Sequence, residues 1–237
     1  MVMKGSMKKR RRAFTLAELM ITTAVIGIMA ALITPALSRM IQSSKEAKAL
    51  GVMRNVLRCA SLSQAESGGI HYRKKTPSVG RVYWLQYFVT EYSDFNPQAL
   101  RSPLDDNWDE RLKTLSYPLL PSDQKTGFSY AMNMDLPTVY PDTKNEPSLF
   151  YVNPVAAQNV SRAALFFEAM GTLAGFRQKS DLKTHARFGF KDGEGIAVGF
   201  LDSHVEIVAK TDVLDKEKSS WTEEQRNIFW TGKPDKN

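Results

Sequence analysis

The stretch that decides the fold is residues 14–37, FTLAELMITTAVIGIMAALITPAL. It is apolar apart from Glu18 and several threonines, and its 24 residues exceed the about 20 that a helix needs to cross a bilayer core. An ionised carboxylate in hydrocarbon is costly, so Glu18 requires a partner of opposite charge. The stretch therefore predicts a transmembrane helix with one functional acidic residue near its start.

Basic residues dominate the segment that precedes this stretch. Residues 1–13 carry six of the 32 Lys and Arg side chains and no acid, which leaves 26 basic against 25 acidic side chains in the remainder. The near-neutral body therefore gives no support for nucleic-acid binding. Because Lys and Arg beside a span stay cytoplasmic, we expect a single-pass protein of the inner (cytoplasmic) membrane, with its N-terminus cytoplasmic and its body periplasmic or otherwise extracytoplasmic.

The apolar pattern becomes one-sided after residue 37. Apolar side chains then recur at steps of three and four, which is the signature of an amphipathic helix that packs on a domain. They include Met40, Ile41, Ala47, Leu50, Met53, Val56, Leu57 and Ala60. Ser67-Gly68-Gly69 is a credible stop.

The rest of the chain mixes short helical and strand patterns. Residues 81–88 predict a short helix, and strands are expected at 128–132, 163–168, 196–201 and 204–208, with a hairpin at Asp202-Ser203. Turn formers dominate between these segments. The fold class is α+β: a long N-terminal helix, half transmembrane and half amphipathic, packed on a small antiparallel β-sheet domain with long loops.

These patterns divide the chain into four parts. Residues 1–13 are a basic leader, 14–37 the transmembrane segment, 38–66 an amphipathic stem and 67–237 an extracytoplasmic α+β domain. Cys59 is the only cysteine, so an intrachain disulfide is excluded; a buried helix residue or an intermolecular bridge remains open.

Metal ligands and catalytic motifs are sparse. His185, His204 and Asp202 could be drawn as a metal or acid–base cluster, but no spaced set of four ligands exists. A run of oxygen ligands could bind Ca²⁺, although its spacing is not that of an EF-hand. That run contains Asp105, Asp106, Asn107, Asp109 and Glu110. With no phosphate loop, nucleophile elbow or Cys-x-x-Cys, the sequence predicts neither an enzyme nor a cofactor or metal site.

The start of the chain resembles type IV pilins and the pseudopilins of type II secretion. The matching residues are Ala13, Phe14, Thr15, Leu16, Glu18, Leu19 and Met20, followed by the apolar run. The resemblance implies a cut between Ala13 and Phe14 by prepilin peptidase and methylation of Phe14. It also implies that Glu18 pairs with the terminal amine of a neighbouring subunit. Ala13 stands where the family usually has Gly.

Segments of the body resemble a group of prepilin-like proteins with a C-terminal His, nine residues, then Asp-Gly. The matching segments are 100–105 (LRSPLD, with Ser102 in a Cys position), 128–133 (FSYAMN), 163–168 (AALFFE) and 200–206 (FLDSHVE). Ser203 replaces the Gly, and sixteen residues separate His185 from Asp202.

Together these features imply a structural subunit, pseudopilin or minor-pilin-like, that assembles with other pilin-like subunits through a helix in the membrane. They leave open whether the machine is a type II secretion system, a pilus or a DNA-uptake apparatus. One alternative is a singly anchored, non-assembling extracytoplasmic binding protein. Another is a secreted domain released by a signal peptide cut after about Ala36.

Overall fold

The computed structural model describes residues 15–76, 80–92, 96–108, 129–139, 151–170, 175–176, 178–215 and 217–234. The chain divides into two units between Ser44 and Lys45. Five α-helices are described: α1 (Leu16–Ser67), α2 (Trp84–Tyr92), α3 (Gln178–His185), α4 (Lys210–Leu214) and α5 (Glu223–Thr231). Short 3₁₀ helices span Pro97–Leu100, Pro154–Ala156 and Lys191–Gly193.

Ten strands are described in the same residues. They are β1 (Ile70–His71), β2 (Arg73–Thr76), β3 (Gly80–Tyr83), β4 (Tyr130–Asn133), β5 (Thr138–Val139), β6 (Tyr151–Val152), β7 (Ala164–Glu168), β8 (Gly175–Phe176), β9 (Gly195–Phe200) and β10 (Val205–Ala209).

The first unit contributes the N-terminal part of α1. Its apolar side chains are exposed all round the helix; Leu16 is 78% and Leu32 73% exposed. This part of α1 is long and apolar enough to cross a membrane. Pro35 lies inside the helix, where it removes one backbone hydrogen bond without interrupting the helical assignment.

The second unit begins with the remainder of α1, which buries one face. The buried side chains are Ala49, Met53, Val56, Leu57, Cys59, Ala60 and Ser63. α1 ends at Ser67, where Gly68 adopts a φ of 76° and donates its N–H to the carbonyl of Gln64 at 2.8 Å. A left-handed residue at this position closes the last helical turn, so the predicted stop is confirmed.

A five-stranded sheet forms the centre of this unit, in the order β10-β9-β7-β4-β8. All its pairings are antiparallel except that of β4 with β8, so the predicted antiparallel sheet is mixed at this edge. The strands β4, β7 and β9 are buried along their whole length, because both faces of the sheet are covered.

Two apolar cores lie on opposite faces of the sheet. One joins α1 and α2 to the sheet, with Trp84 of α2 and Phe166 of β7 at a ring distance of 4.6 Å. The other joins the sheet to the C-terminal helices, with Phe167 of β7 and Phe229 of α5 at 5.7 Å. Two small sheets flank this arrangement: β1-β6-β5 and the hairpin β2-β3.

The structure confirms the α+β fold class. The strands expected at 163–168, 196–201 and 204–208 correspond to β7, β9 and β10. The helix expected over 81–88 is wrong at its start, because residues up to Tyr83 pair with β2 and the helix begins at Trp84. Of the strand expected at 128–132, Phe128 lies outside the described residues, as does the part of the turn-rich region that follows Trp108.

Candidate functional site

The first candidate site is the start of α1, where Glu18 closes a capping box with Thr15. The backbone N–H and the hydroxyl of Thr15 both donate to Glu18 Oε2 at 2.9 Å, and the Glu18 N–H donates to Thr15 Oγ1 at 3.2 Å. This reciprocal pattern satisfies backbone donors that a helix start leaves open. The sequence analysis considered only the charge of Glu18 and missed the Thr-x-x-Glu spacing that predicts this cap.

Glu18 is exposed on a helix surface that is otherwise apolar apart from several threonines. The next charged residue along the chain is Arg39. Hydrogen bonds from Thr15 satisfy the carboxylate as an acceptor without neutralising its charge. Ala13 and Phe14, the two residues of the expected cut, lie outside the described residues.

The second candidate site is a group of five side chains inside the domain, which we name the buried polar cluster: Ser102, Asp105, Ser129, Glu168 and Arg187. Ser102 and Asp105 follow a 3₁₀ helix, Ser129 precedes β4, Glu168 ends β7 and Arg187 follows α3. Four separate segments of the chain therefore meet at one point beside the central sheet.

Hydrogen bonds and ion pairs join the buried polar cluster. The guanidinium of Arg187 lies 2.7 Å from Asp105 Oδ1 and 3.9 Å from Glu168 Oε1. Ser102 Oγ donates to Glu168 Oε1, and Ser129 Oγ donates to Asp105 Oδ2 at 2.7 Å. One cation therefore serves two carboxylates, both of which are fully buried.

The charge state of Glu168 follows mainly from its burial. Burial raises the pKa of Glu168 to about 7; the charge of Asp105 adds to the rise, whereas the hydrogen bond from Ser102 and the charge of Arg187 oppose it. Burial also raises the pKa of Tyr130 well above its ordinary value, and the charge of Glu168 adds to this rise. The cluster therefore disfavours a second negative charge.

The sequence analysis named segments that contain four members of this cluster but did not predict that they meet. The prepilin-like segments quoted for Ser102, Asp105, Ser129 and Glu168 all converge here. It missed Arg187, the only cation of the cluster. No local spacing connects Arg187 with Asp105 or Glu168, and a lone Arg among apolar residues was the single available signal.

The calcium alternative is wrong at Asp105. This carboxylate is turned inward to Arg187 and Ser129 instead of joining an open acidic loop. Asp106 is exposed and lies 3.7 Å from Lys45, while Asp109 and Glu110 lie outside the described residues. Asp105 and Asp106, the two carboxylates of this run that the structure describes, therefore do not face a common ion.

Among the described residues, His204 lies beside Asp202, but these two do not form a three-ligand group with His185. His204 Nδ1 lies 2.5 Å from Asp202 Oδ1, and its ring stacks on Phe200 at 4.3 Å. His185 accepts a hydrogen bond from Met170 N–H through its backbone oxygen. The described residues hold no group of three His, Cys, Asp or Glu side chains that could bind a metal ion.

The expected hairpin around Asp202 is confirmed. Phe200 and Val205 flank the turn, and Ser203 adopts a φ of 71° within it. The His204 N–H donates to Asp202 Oδ1 at 3.2 Å, which is the turn hydrogen bonding that an Asp provides. These contacts explain Asp202 and His204 as turn residues.

Comparison with known families identifies the start of the chain. Residues 8–34 match the family described as the prokaryotic N-terminal methylation motif. No curated protein and no solved structure matches the chain. Residues 8–34 therefore form a type IV pilin-like prepilin segment.

That match supports a pilin-like, processed subunit, and the apolar part of α1, which is long and apolar enough to cross a membrane, fits a protein anchored by one helix. The motif implies processing by prepilin peptidase and assembly of the pilin type, and its family is structural and not catalytic. The resemblance of the body to the other prepilin-like group stays a prediction.

Proposed function

We propose that this protein is a structural subunit, pseudopilin or minor-pilin-like, of a type II secretion or type IV pilus-like filament. Prepilin peptidase would cut between Ala13 and Phe14, and Phe14 would be methylated. The prepilin segment at 8–34, which continues into a helix whose apolar side chains are exposed all round, carries this proposal.

The geometry at Glu18 supports a role for its charge in assembly. The capping box holds the carboxylate at the start of α1, beside the position that the new N-terminus would occupy after the cut. In an apolar environment a lone carboxylate is costly, whereas a carboxylate paired with an ammonium is tolerated and can specify register. The terminal amine of a neighbouring subunit would supply that ammonium.

The basic leader supports one orientation in the membrane. Its six Lys and Arg side chains would stay in the cytoplasm, so that the domain from Lys45 onward would lie outside the inner membrane. Prepilin peptidase and other pilin-like subunits are the partners that this arrangement requires. Residues 14–37 are the proposed contact with the membrane, 38–66 the stem and 67–237 the exported domain.

N-terminal sequencing and the intact mass of the protein purified from membranes test this proposal. A methylated Phe14 at the terminus is the expected result. An intact Met1 on a monomeric protein would instead indicate the singly anchored binding protein, and a terminus near Leu37 would indicate a secreted domain. Either of these results would overturn the proposal.

Three substitutions separate the charge of Glu18 from its role as a cap. Glu18→Ala removes both, Glu18→Gln keeps a hydrogen-bond acceptor without the charge, and Thr15→Ala weakens the cap but keeps the charge. If charge pairing drives assembly, both Glu18 variants are processed normally but lost from the sheared filament fraction, whereas Thr15→Ala is retained. Unchanged incorporation of Glu18→Ala would count against charge pairing.

A further inference from the structure

The buried polar cluster has a charge balance that one proton can change. Within it, the Arg187 guanidinium faces Asp105 at 2.7 Å and Glu168 at 3.9 Å. Asp105 has the closer ion pair and also accepts from Ser129. No described residue hydrogen-bonds Glu168 Oε2, although Oε1 accepts from Ser102.

The cluster connects the 96–108 segment to the sheet. Ser102 and Asp105 belong to this segment, whereas Glu168 and Arg187 lie on and beside the sheet. The segment also buries Leu100 and Trp108, so apolar contacts and the polar cluster hold it together. An unpaired charge in the cluster would weaken the polar contacts that hold the segment to the sheet, because a buried unpaired charge is strongly unfavourable.

We propose that the buried polar cluster is a proton-linked latch: a proton on Glu168 keeps the 96–108 segment docked on the sheet, and loss of that proton to solvent loosens the segment. With Glu168 neutral, Arg187 and Asp105 form a balanced pair. With Glu168 ionised, two buried carboxylates share one guanidinium. The latch does not depend on filament assembly.

The direction of the pH effect follows from the groups that face Glu168. Burial, with the charge of Asp105, disfavours its ionised form, whereas the hydrogen bond from Ser102 and the charge of Arg187 favour that form. The charge of Glu168 in turn raises the pKa of the neighbouring Tyr130. The pKa is raised from 4.5 to about 7 in the folded domain. Protonated Glu168 therefore makes its whole contribution to the stability of the domain at a pH below its pKa in the unfolded chain. That contribution is lost as the pH rises through its pKa in the folded domain.

The latch adjoins a surface groove along α1. Val52 and Asn55 of α1 line one side of the groove, and Gln98, Arg101 and Pro103 of the 96–108 segment line the other. Arg101 donates to the backbone oxygen of Asp105 at 3.4 Å, which connects the groove wall directly to the cluster. Release of the segment would therefore change the shape of this groove.

Amide hydrogen exchange of the full chain in detergent tests the latch. After correction for intrinsic rates, exchange of peptides covering 96–108 should increase by up to about tenfold per pH unit between about pH 5 and pH 7, the limit for one linked proton. Glu168→Gln should remove this increase, because its side chain stays neutral. Glu206→Gln, a matched change of an exposed residue on β10, should retain it.

Several results would overturn the proposal. One is a rate of amide exchange in residues 96–108 that does not vary with pH. Another is a pH dependence in Glu168→Gln equal to that of the wild-type protein. If that variant does not fold, infrared spectra of the wild-type protein provide the second measurement. A protonated-carboxyl band should persist at about pH 6, where ordinary carboxyls are ionised, and disappear as the pH passes about 7. Absence of the band at about pH 6 would exclude a proton on Glu168.

Discussion

The two ends of α1 belong to one helix but bury their apolar side chains differently. Leu32, before Ser44, is 73% exposed, whereas Leu57, after Lys45, is 2% exposed against the domain. The first end is apolar on all sides, and the second is apolar on one face only. An apolar pattern on all sides of a helix fits contact with lipid or other subunits, whereas an apolar pattern on one face fits packing on the protein's own core.

This difference predicts where substitutions change the stability of the domain and where they do not. Changes of buried side chains in the second unit should lower its free energy of unfolding, measured by urea titration of the full chain in detergent. Changes in the first unit should leave that quantity unchanged.

The largest loss is expected for Arg187→Met in the buried polar cluster. Removing the guanidinium leaves Asp105 and Glu168 buried without a cation, which should cost about 3–5 kcal/mol of unfolding free energy at neutral pH. Arg162→Met, an exposed control, should cost less than about 0.5 kcal/mol. Equal effects of the two substitutions would show that the cluster does not stabilise the domain.

The next largest effect on the unfolding free energy comes from a Leu→Ala substitution, compared at two positions of α1. Leu57→Ala should cost about 2–5 kcal/mol, because it leaves a cavity between α1 and the sheet. Leu32→Ala should change the unfolding free energy of the domain by no more than about 0.5 kcal/mol. A similar loss at both positions would mean that the first half of α1 also packs on a core.

The contact of α1 with β9 provides a smaller test. A Cβ added at Gly199 would lie 3.0 Å from both methyl groups of Leu57, so Gly199→Ala should cost about 1–3 kcal/mol by overpacking. Combined with Leu57→Ala, it should cost less than the sum of the two single changes, because the smaller side chain provides room. Strict additivity would exclude this contact as the cause.

The sequence predicted the elements with local signals more reliably than those that depend on distant partners. Continuous apolar runs predicted β7 and β9, and Ser67-Gly68-Gly69 predicted the end of α1. Residues 81–83 form a strand because they pair with β2, and the local sequence pattern of residues 81–88 does not indicate this pairing. Arg187 and Asp105 form an ion pair although they lie far apart in the sequence. This distance explains why Arg187 was missed and why Asp105 was grouped with its acidic neighbours.

The smallest effect concerns two capping boxes, one in each unit. Thr222 and Gln225 begin α5 with the same reciprocal bonds that Thr15 and Glu18 form at the start of α1. Thr222→Ala should lower the unfolding free energy by about 1 kcal/mol, and Thr222→Ser should restore most of it, because Ser also caps. Thr15→Ala should leave the urea transition unchanged, since its helix start lies outside the folded domain. A loss at Thr15 equal to that at Thr222 would contradict this separation, because a cap can stabilise the domain only through a helix that folds with it.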